Sequence, residues 1–414
     1  MLLAMAPLRV EAADPVQRVE VSLTVEDGAP HALIVRRLAE SIGTAAERLL
    51  IGRDSEVVAR QEAALSGVLR EVVDRVISGY RVTALGFQAG ATTTVVVRVQ
   101  PRPPILGDVP IATAFEGIHQ DARPLVAETL QPVMPEIRRL MFGLPVEALE
   151  WAGPIVERRI TELVEGAATG FTGVGRIETA PAARLVMTIA SRDARVVRDI
   201  GVRFRSSSIP FVLLEPHAPQ VVSMAELLRG LPVVFVAAHR ARFEAIIATR
   251  LAAYPPVREY GIVARPVLQV AEVALITVLA DSTLYRGRIE ARLNIGTQAP
   301  PPDIRAQLGR AFGGVEPFVE LSLFPSTLAF RWALGLRIDV SPEVAVGIKA
   351  HMTGEDQETF LTYRLSPDLT MRGAYFVQSG TVEGTLTYRL NEFLSWEGVA
   401  TSRGVVWLRV VSNL

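Results

Sequence analysis

The chain has 414 residues, 43 Lys and Arg against 44 Asp and Glu, a net charge of -1 and no cysteine. Single cores seldom grow past ~250 to 300 residues, so more than one domain is expected. The near-neutral charge gives no electrostatic basis for nucleic-acid binding, and the lack of cysteine removes disulfides, thiolate nucleophiles and cysteine zinc sites together.

The first residues, 1–14, read as the remnant of a secretory signal: a short apolar stretch ends in Val10-Glu11-Ala12 before Ala13, without a basic n-region. Three similar segments follow, each an aromatic-led pair of strands. They are YRVTALGFQAGATTTVVVRVQ from Tyr80, FTGVGRIETAPAARLVMTIAS from Phe171 and YGIVARPVLQVAEVALITVLA from Tyr260, spaced 91 and 89 residues apart.

An amphipathic helix precedes each pair. Leu65, Leu69, Val72 and Val76 share a face in the first, Val156, Ile160, Leu163 and Ala167 in the second, and Phe243, Ile247 and Leu251 in the third. Gly79 and Gly170 are expected to close the first two helices at C′, and Pro154 to open the second at its first turn. One more strand lies upstream of each helical stretch, at Val19–Val25, Ile111–Gly117 and Ile200–Ser206. The predicted order is therefore β-α-α-β-β, repeated over residues 15–104, 105–195 and 196–283. A linking strand at Ile289 and a short helix over Asp303–Phe312 fill residues 284–314.

Residues 315–414 predict an antiparallel meander of about eight strands, 9 to 14 residues each, with a repeat of 25 residues visible in GLRIDVSPEV, FLTYRLSPDL and TLTYRLNEFL. Successive side chains on a strand point to opposite faces. One face is predicted to carry Phe330, Trp332, Leu334, Leu336, Ile338, Val346, Ile348, Tyr363, Leu386, Tyr388 and Trp396. The other carries Arg331, Arg337, Asp339, Lys349, Arg364, Arg372, Glu383, Arg389 and Glu397. Period two does not tell a membrane barrel, apolar outside, from a soluble closed β-domain, apolar inside. Thr, Gly and Ala mixed with charges of both signs suit a narrow filled lumen, and aromatics near strand ends suit interfacial girdles. The first face is thus expected to meet lipid and the second to face the lumen. No helix-length apolar run exists, the longest being Leu231–Ala238, so membrane entry requires a barrel.

No bond-making chemistry is visible. The five histidines are not paired in a zinc-binding spacing. Gly170, Gly173 and Gly175 run from helix to strand, the reverse of a phosphate loop. Glu157, Glu162 and Glu165 read as a solvated helix face. Catalytic, metal and cofactor sites are therefore expected to be absent, and the chain is not expected to be an enzyme.

Tandem β-α-α-β-β repeats before a membrane-type barrel resemble the polypeptide-transport-associated (POTRA) repeats of the outer-membrane barrel-assembly and two-partner-secretion proteins. The chain departs from that family in its smaller barrel, and Met371-Arg372-Gly373-Ala374-Tyr375 matches the family's lumen motif, Val-Arg-Gly followed by Phe or Tyr, only loosely. The resemblance implies an outer-membrane anchor whose repeats face the periplasm and bind client polypeptides for assembly or transport. Partners would be outer-membrane lipid and client chains, with no nucleic acid. The alternative is a soluble periplasmic binding or scaffolding protein.

Overall fold

The computed structural model describes residues 14–179, 183–353 and 356–414. The expected signal remnant lies outside the described residues, apart from Asp14. The chain forms two compact units, one running from the N-terminus to Val196 with Gly230–Phe235, the other comprising Val197–Arg229 and Val236–Leu414.

The first unit holds two mixed three-stranded sheets. Strands β1 (Arg18–Val25), β2 (Tyr80–Gln88) and β3 (Thr92–Pro101) lie in the order β1-β3-β2, with β1 parallel and β2 antiparallel to β3. Strands β4 (Ile111–Phe115), β5 (Phe171–Glu178) and β6 (Arg184–Ser191) take the order β4-β6-β5 with the same directions. A long helix precedes each hairpin, Glu62–Val76 in the first block and Leu149–Ala167 in the second.

These helices bury a different row from the one expected. The first presents Leu65, Leu69 and Val73 to its sheet, while Val72 and Val76 are exposed. The second buries Ala152, Val156, Ile160 and Val164, leaving Leu163 and Ala167 half-buried. Both are i, i+4, i+8 rows, the ridge inclined about 26° to the helix axis, which stays in contact when a helix packs obliquely. Pro154 lies inside its helix rather than at the first turn, because the helix begins earlier, at Leu149. Gly79 and Gly170 sit one residue beyond C′, with φ of 87° and 90°, values that favour glycine. Gly173 and Gly175 lie in β5 beneath the second helix. A Cβ on either would come within 2.6 Å of the side chain of Val164 or Ile160.

The second unit opens with a third such sheet, β7 (Asp199–Arg205), β8 (Ile262–Gln269) and β9 (Val273–Ser282), in the order β7-β9-β8. Strand register aligns the three hairpins. Tyr80 pairs with Pro101, Phe171 with Ser191 and Ile262 with Ser282. The next amide closes each end: Arg102 N donates to Gly79 O, Arg192 N to Gly170 O and Thr283 N to Gly261 O, at 2.8 to 2.9 Å. The structural counterpart of Tyr80 and Phe171 is therefore Ile262, not Tyr260, and the true spacing is 91 residues both times.

The remainder closes into a barrel of ten antiparallel strands, not eight. They are β10 (Tyr285–Ile295), β11 (Asp303–Arg310), β12 (Val315–Phe324), β13 (Ala329–Asp339), β14 (Val344–His351), β15 (Glu358–Arg364), β16 (Leu369–Phe376), β17 (Thr381–Arg389), β18 (Leu394–Thr401) and β19 (Val406–Asn413). The strand at Ile289 belongs to the barrel as β10, pairing with β19 to close it. The expected helix over Asp303–Phe312 is strand β11. Its alternation of Ile304, Ala306 and Leu308 with Asp303, Arg305 and Gln307 is of period two, and the preceding prolines only imitate a helix start. Strands run 7 to 11 residues, shorter than expected. At ~3.4 Å per residue and a tilt near 40°, such lengths bracket the ~25 Å apolar band of a membrane barrel.

Candidate functional site: a charged lumen within an apolar wall

Closure sorts each strand's two faces. Glu316, Phe318, Glu320 and Ser322 of β12 are buried, and their register partners Arg337, Gly335, Ala333 and Arg331 take the same inward face on β13. Two aromatic rings lie across inward glycines: a Cβ on Gly335 would fall 2.0 Å from Phe318 Cζ, and one on Gly347 2.3 Å from Phe360 Cζ. Such rings cover the bare backbone of a cross-strand glycine and fill the lumen.

Around them the charges pair. Lys349, the chain's one lysine, lies 2.7 Å from Glu358 and 3.3 Å from Glu320. Arg305 reaches Glu320 at 3.4 Å, and Arg372 pairs with Glu358 while its guanidinium sits 4.6 Å from the Phe360 ring centre. A second cluster near the end carrying the third block joins Arg286 to Glu316 at 3.0 Å and to Asp339 at 2.9 Å, with Arg337 2.9 Å from Asp339. A third joins Arg409 to Glu397 and to Asn294, each at 2.8 Å, beside Arg292 paired with Asp303. Charges removed from water are tolerated only when paired and hydrogen-bonded, and these clusters cross-link the wall from within.

Of the residues predicted to face the lumen, Lys349 is buried, and Arg337, Asp339, Arg372, Glu383 and Glu397 are half-buried. Arg331, Arg364 and Arg389 hold the same face but sit at strand ends, where they are exposed; Arg389 pairs with Asp368 of the adjoining turn at 3.2 Å. Arg286, Arg292, Asp303 and Arg305 are lumen residues that the sequence reading does not single out, because it places residues 284–314 outside the barrel. The signal is the period-two alternation over Tyr285–Ile295 and Asp303–Leu308.

The outer face is apolar on every strand. Leu293, Ile304, Val319, Trp332, Ile348, Leu361, Met371, Leu386, Trp396 and Val406, one from each of the ten strands in turn, are exposed. Among the residues predicted to meet lipid, Phe330, Trp332, Leu334, Ile338, Ile348, Tyr363, Leu386, Tyr388 and Trp396 are exposed, and Leu336 and Val346 half-buried. Outward aromatics gather at both ends, with Tyr285, Tyr363, Tyr388 and Trp396 on the side of the third block and Phe330, Trp332 and Tyr375 on the other. Contiguous apolar surface running over every strand is rare on monomeric soluble proteins, and aromatic girdles at its two rims are the pattern of a bilayer-spanning barrel. The inverted arrangement, with oily side chains at the centre and arginines outside, is not the one present.

Among the described residues no group of three or more His, Asp or Glu is placed to hold a metal ion. Among the described residues no helix is long and apolar enough to cross a membrane, which says nothing of the strands.

In architecture, an α+β region followed by a closed β-barrel, the chain resembles the POTRA-plus-barrel proteins. No family model and no curated protein matches it in sequence. Among solved structures it is similar to BamA from Haemophilus ducreyi lacking POTRA domains 1-3, with 10% identity over 72% of this chain and 50% of that one and a TM-score of 0.17. It is also similar to POTRA1-3 of the periplasmic domain of Omp85 from Anabaena, with 15% identity over 64% of this chain and 95% of that one and a TM-score of 0.20. A third is CdiB from Acinetobacter baumannii, with 6% identity, 75% and 55% coverage and a TM-score of 0.16. The chain spans about half the length of the BamA and CdiB structures.

Proposed function

We propose that the chain is an outer-membrane anchor whose three α+β blocks are POTRA-type repeats, held on the periplasmic side to bind extended client polypeptides during envelope assembly or transport. The observation that carries this reading is the sorting of the barrel, with apolar side chains outward on all ten strands and paired charges within. A narrow interior filled by ion pairs and aromatic rings favours an anchor over a diffusion pore. Barrel closure leaves no edge strand in the membrane region, as a lipid environment requires.

The sheets of the three blocks, by contrast, have edges, and the edges differ. Helix side chains reach the β2, β5 and β8 edges: Asp74 accepts from Val82 N and Glu62 from Phe87 N, Thr161 Oγ1 donates to Gly173 O, and Glu244 accepts from Leu268 N. Among the described residues, side-chain bonds leave the opposite edges β1 and β4 open, and at β7 they reach only its start, where Asp199 Oδ1 accepts from Ile200 N and Arg229 donates to Arg198 O. An uncovered edge presents free N–H and C=O groups to an incoming strand, which supports client capture by strand addition there.

Fractionation tests the anchor: the protein should require detergent for extraction and show heat-modifiable gel mobility, whereas recovery in an osmotic-shock fraction overturns it. Client capture is tested by Val202→Pro in β7. Asp199 N donates to Glu272 O of the neighbouring strand, so by alternation Val202 turns its N–H to the open edge, and its side chain is half-buried. The variant should fold and insert but lose crosslinks to clients at that edge; unchanged crosslinking overturns strand addition at β7.

A further inference from the structure

The third block differs from the first two at one structurally equivalent position. Tyr80 and Phe171 start β2 and β5 as buried rings, each against an aromatic partner, Trp151 at 6.5 Å and Phe235 at 4.9 Å between ring centres. Their counterpart by register is the smaller, half-buried Ile262, while the nearby aromatic, Tyr260, is exposed and meets Tyr285 of the barrel at 6.1 Å. Where the first two blocks hold a ring, the third has a cavity of about 500 Å3.

Three properties define its guest. No charged side chain lines it; the walls are apolar groups such as Phe204, Val257, Ile262 and Val278. Several of its polar groups pair within the wall: His217 Nδ1 is 2.9 Å from Tyr254 Oη, Ser208 Oγ accepts from Ser282 N at 2.7 Å, and Ser282 Oγ donates to Tyr260 O at 2.6 Å. The remaining wall is the outside of the barrel, Tyr285 and Gly287 of β10 with Leu308 of β11, the last of these 59% exposed. The cavity is thus continuous with the apolar belt at its aromatic rim. At ~30 Å3 per water-sized group, 500 Å3 admits roughly 15 methylenes.

We propose that this cavity takes one acyl chain of a phospholipid from the adjoining leaflet, seating the third block on the membrane surface. The inference rests on the membrane reading of the barrel. An apolar chain with no polar atoms suits a wall of mainly apolar side chains that carries no charge, and a charged headgroup stays outside.

The test reconstitutes the full chain in phosphatidylcholine vesicles containing a phosphatidylcholine with a photoactivatable diazirine in its acyl chain, and maps adducts by mass spectrometry. Adducts are expected on outward barrel residues around Trp332 and Trp396 and, separately, on the segment Tyr254–Ile262. Ile262→Phe, which restores the ring of the other two blocks, should lower the second set about tenfold and leave the first unchanged. Ala264→Leu fills the same cavity from the next inward position and should act alike, so misfolding of one variant leaves the other to decide. Barrel adducts without Tyr254–Ile262 adducts, or Tyr254–Ile262 adducts indifferent to both substitutions, overturn the proposal. Polypeptide adducts in the cavity in place of lipid, when client chains are present, overturn it as well. Absence of barrel adducts overturns instead the membrane reading beneath it.

Discussion

Lys349 extends from β14 into the barrel to within 2.7 Å of Glu358 on β15, and the pair is almost wholly buried. The same ammonium lies 3.3 Å from Glu320, so one lysine neutralises parts of two carboxylates that Arg305 and Arg372 serve from the other side. Removing one partner of a buried pair leaves an uncompensated charge, at a cost of about 3 to 5 kcal/mol. Lys349→Met should therefore lower the urea midpoint of the folded, fast-migrating gel form markedly. Arg389→Leu, which breaks an exposed pair with Asp368, should change stability by about 0 to 1 kcal/mol.

Ile348 is the outward neighbour of Lys349 on the same strand and is 57% exposed. Against lipid this exposure is favourable, and Ile348→Arg should cost about 2 to 4 kcal/mol near the midplane. Vesicle-insertion yields measure it directly. In water the same substitution at an exposed site would be nearly neutral, so undiminished insertion would contradict the membrane assignment.

Tyr80 is buried, and among the described residues its hydroxyl has no hydrogen-bond partner. Burial pushes its pKa from 10.0 up to about 12. The folded state holds this proton more tightly than the unfolded chain does. The stability tied to it is therefore complete below pH 10.0 and is lost as pH rises towards about 12. Tyr80→Phe should be neutral or stabilising by about 1 kcal/mol at neutral pH, since it removes an unpaired polar atom. It should also weaken the alkaline fall in urea stability between those two pH values.

Asp281, in the third block, gathers the turn after β7. Burial acts to raise its carboxyl pKa, but Ser207 N and the hydroxyls of Ser206, Ser207 and Ser208 all donate to Oδ1, and together they hold it below 3.8. A depressed folded pKa contributes stability above the unfolded value that is lost as pH falls through the folded one. Asp281→Asn should therefore melt below the natural protein at pH 7, with the gap closing under about pH 4 in circular-dichroism melts.

Much of this architecture was legible because periodicity is a local property. The hairpins at Tyr80 and Phe171 and the two faces of β13 follow from side-chain alternation, which no distant contact alters. What was misread depended on partners far along the chain. Asp303–Arg310 followed prolines and passed for a helix until β10 and β12 paired with it on either side. Tyr260 looked equivalent to Tyr80 because both are aromatic, whereas the ladder to β9 gives that place to Ile262. The charges of β10 went unnoticed as lumen residues for the same reason, since their partners lie on β12 and β13.

The amino-acid order by itself determined that Trp332, Leu334 and Ile338 would share one face of a strand and Arg331, Arg337 and Asp339 the other. It could not say which face would be inside, because a cylinder and its inversion share one pattern of alternation. Only the joining of β10 to β19 decided that, by enclosing Lys349 with Glu358 and leaving Trp332 outside. Inside and outside exist only once the sheet has closed.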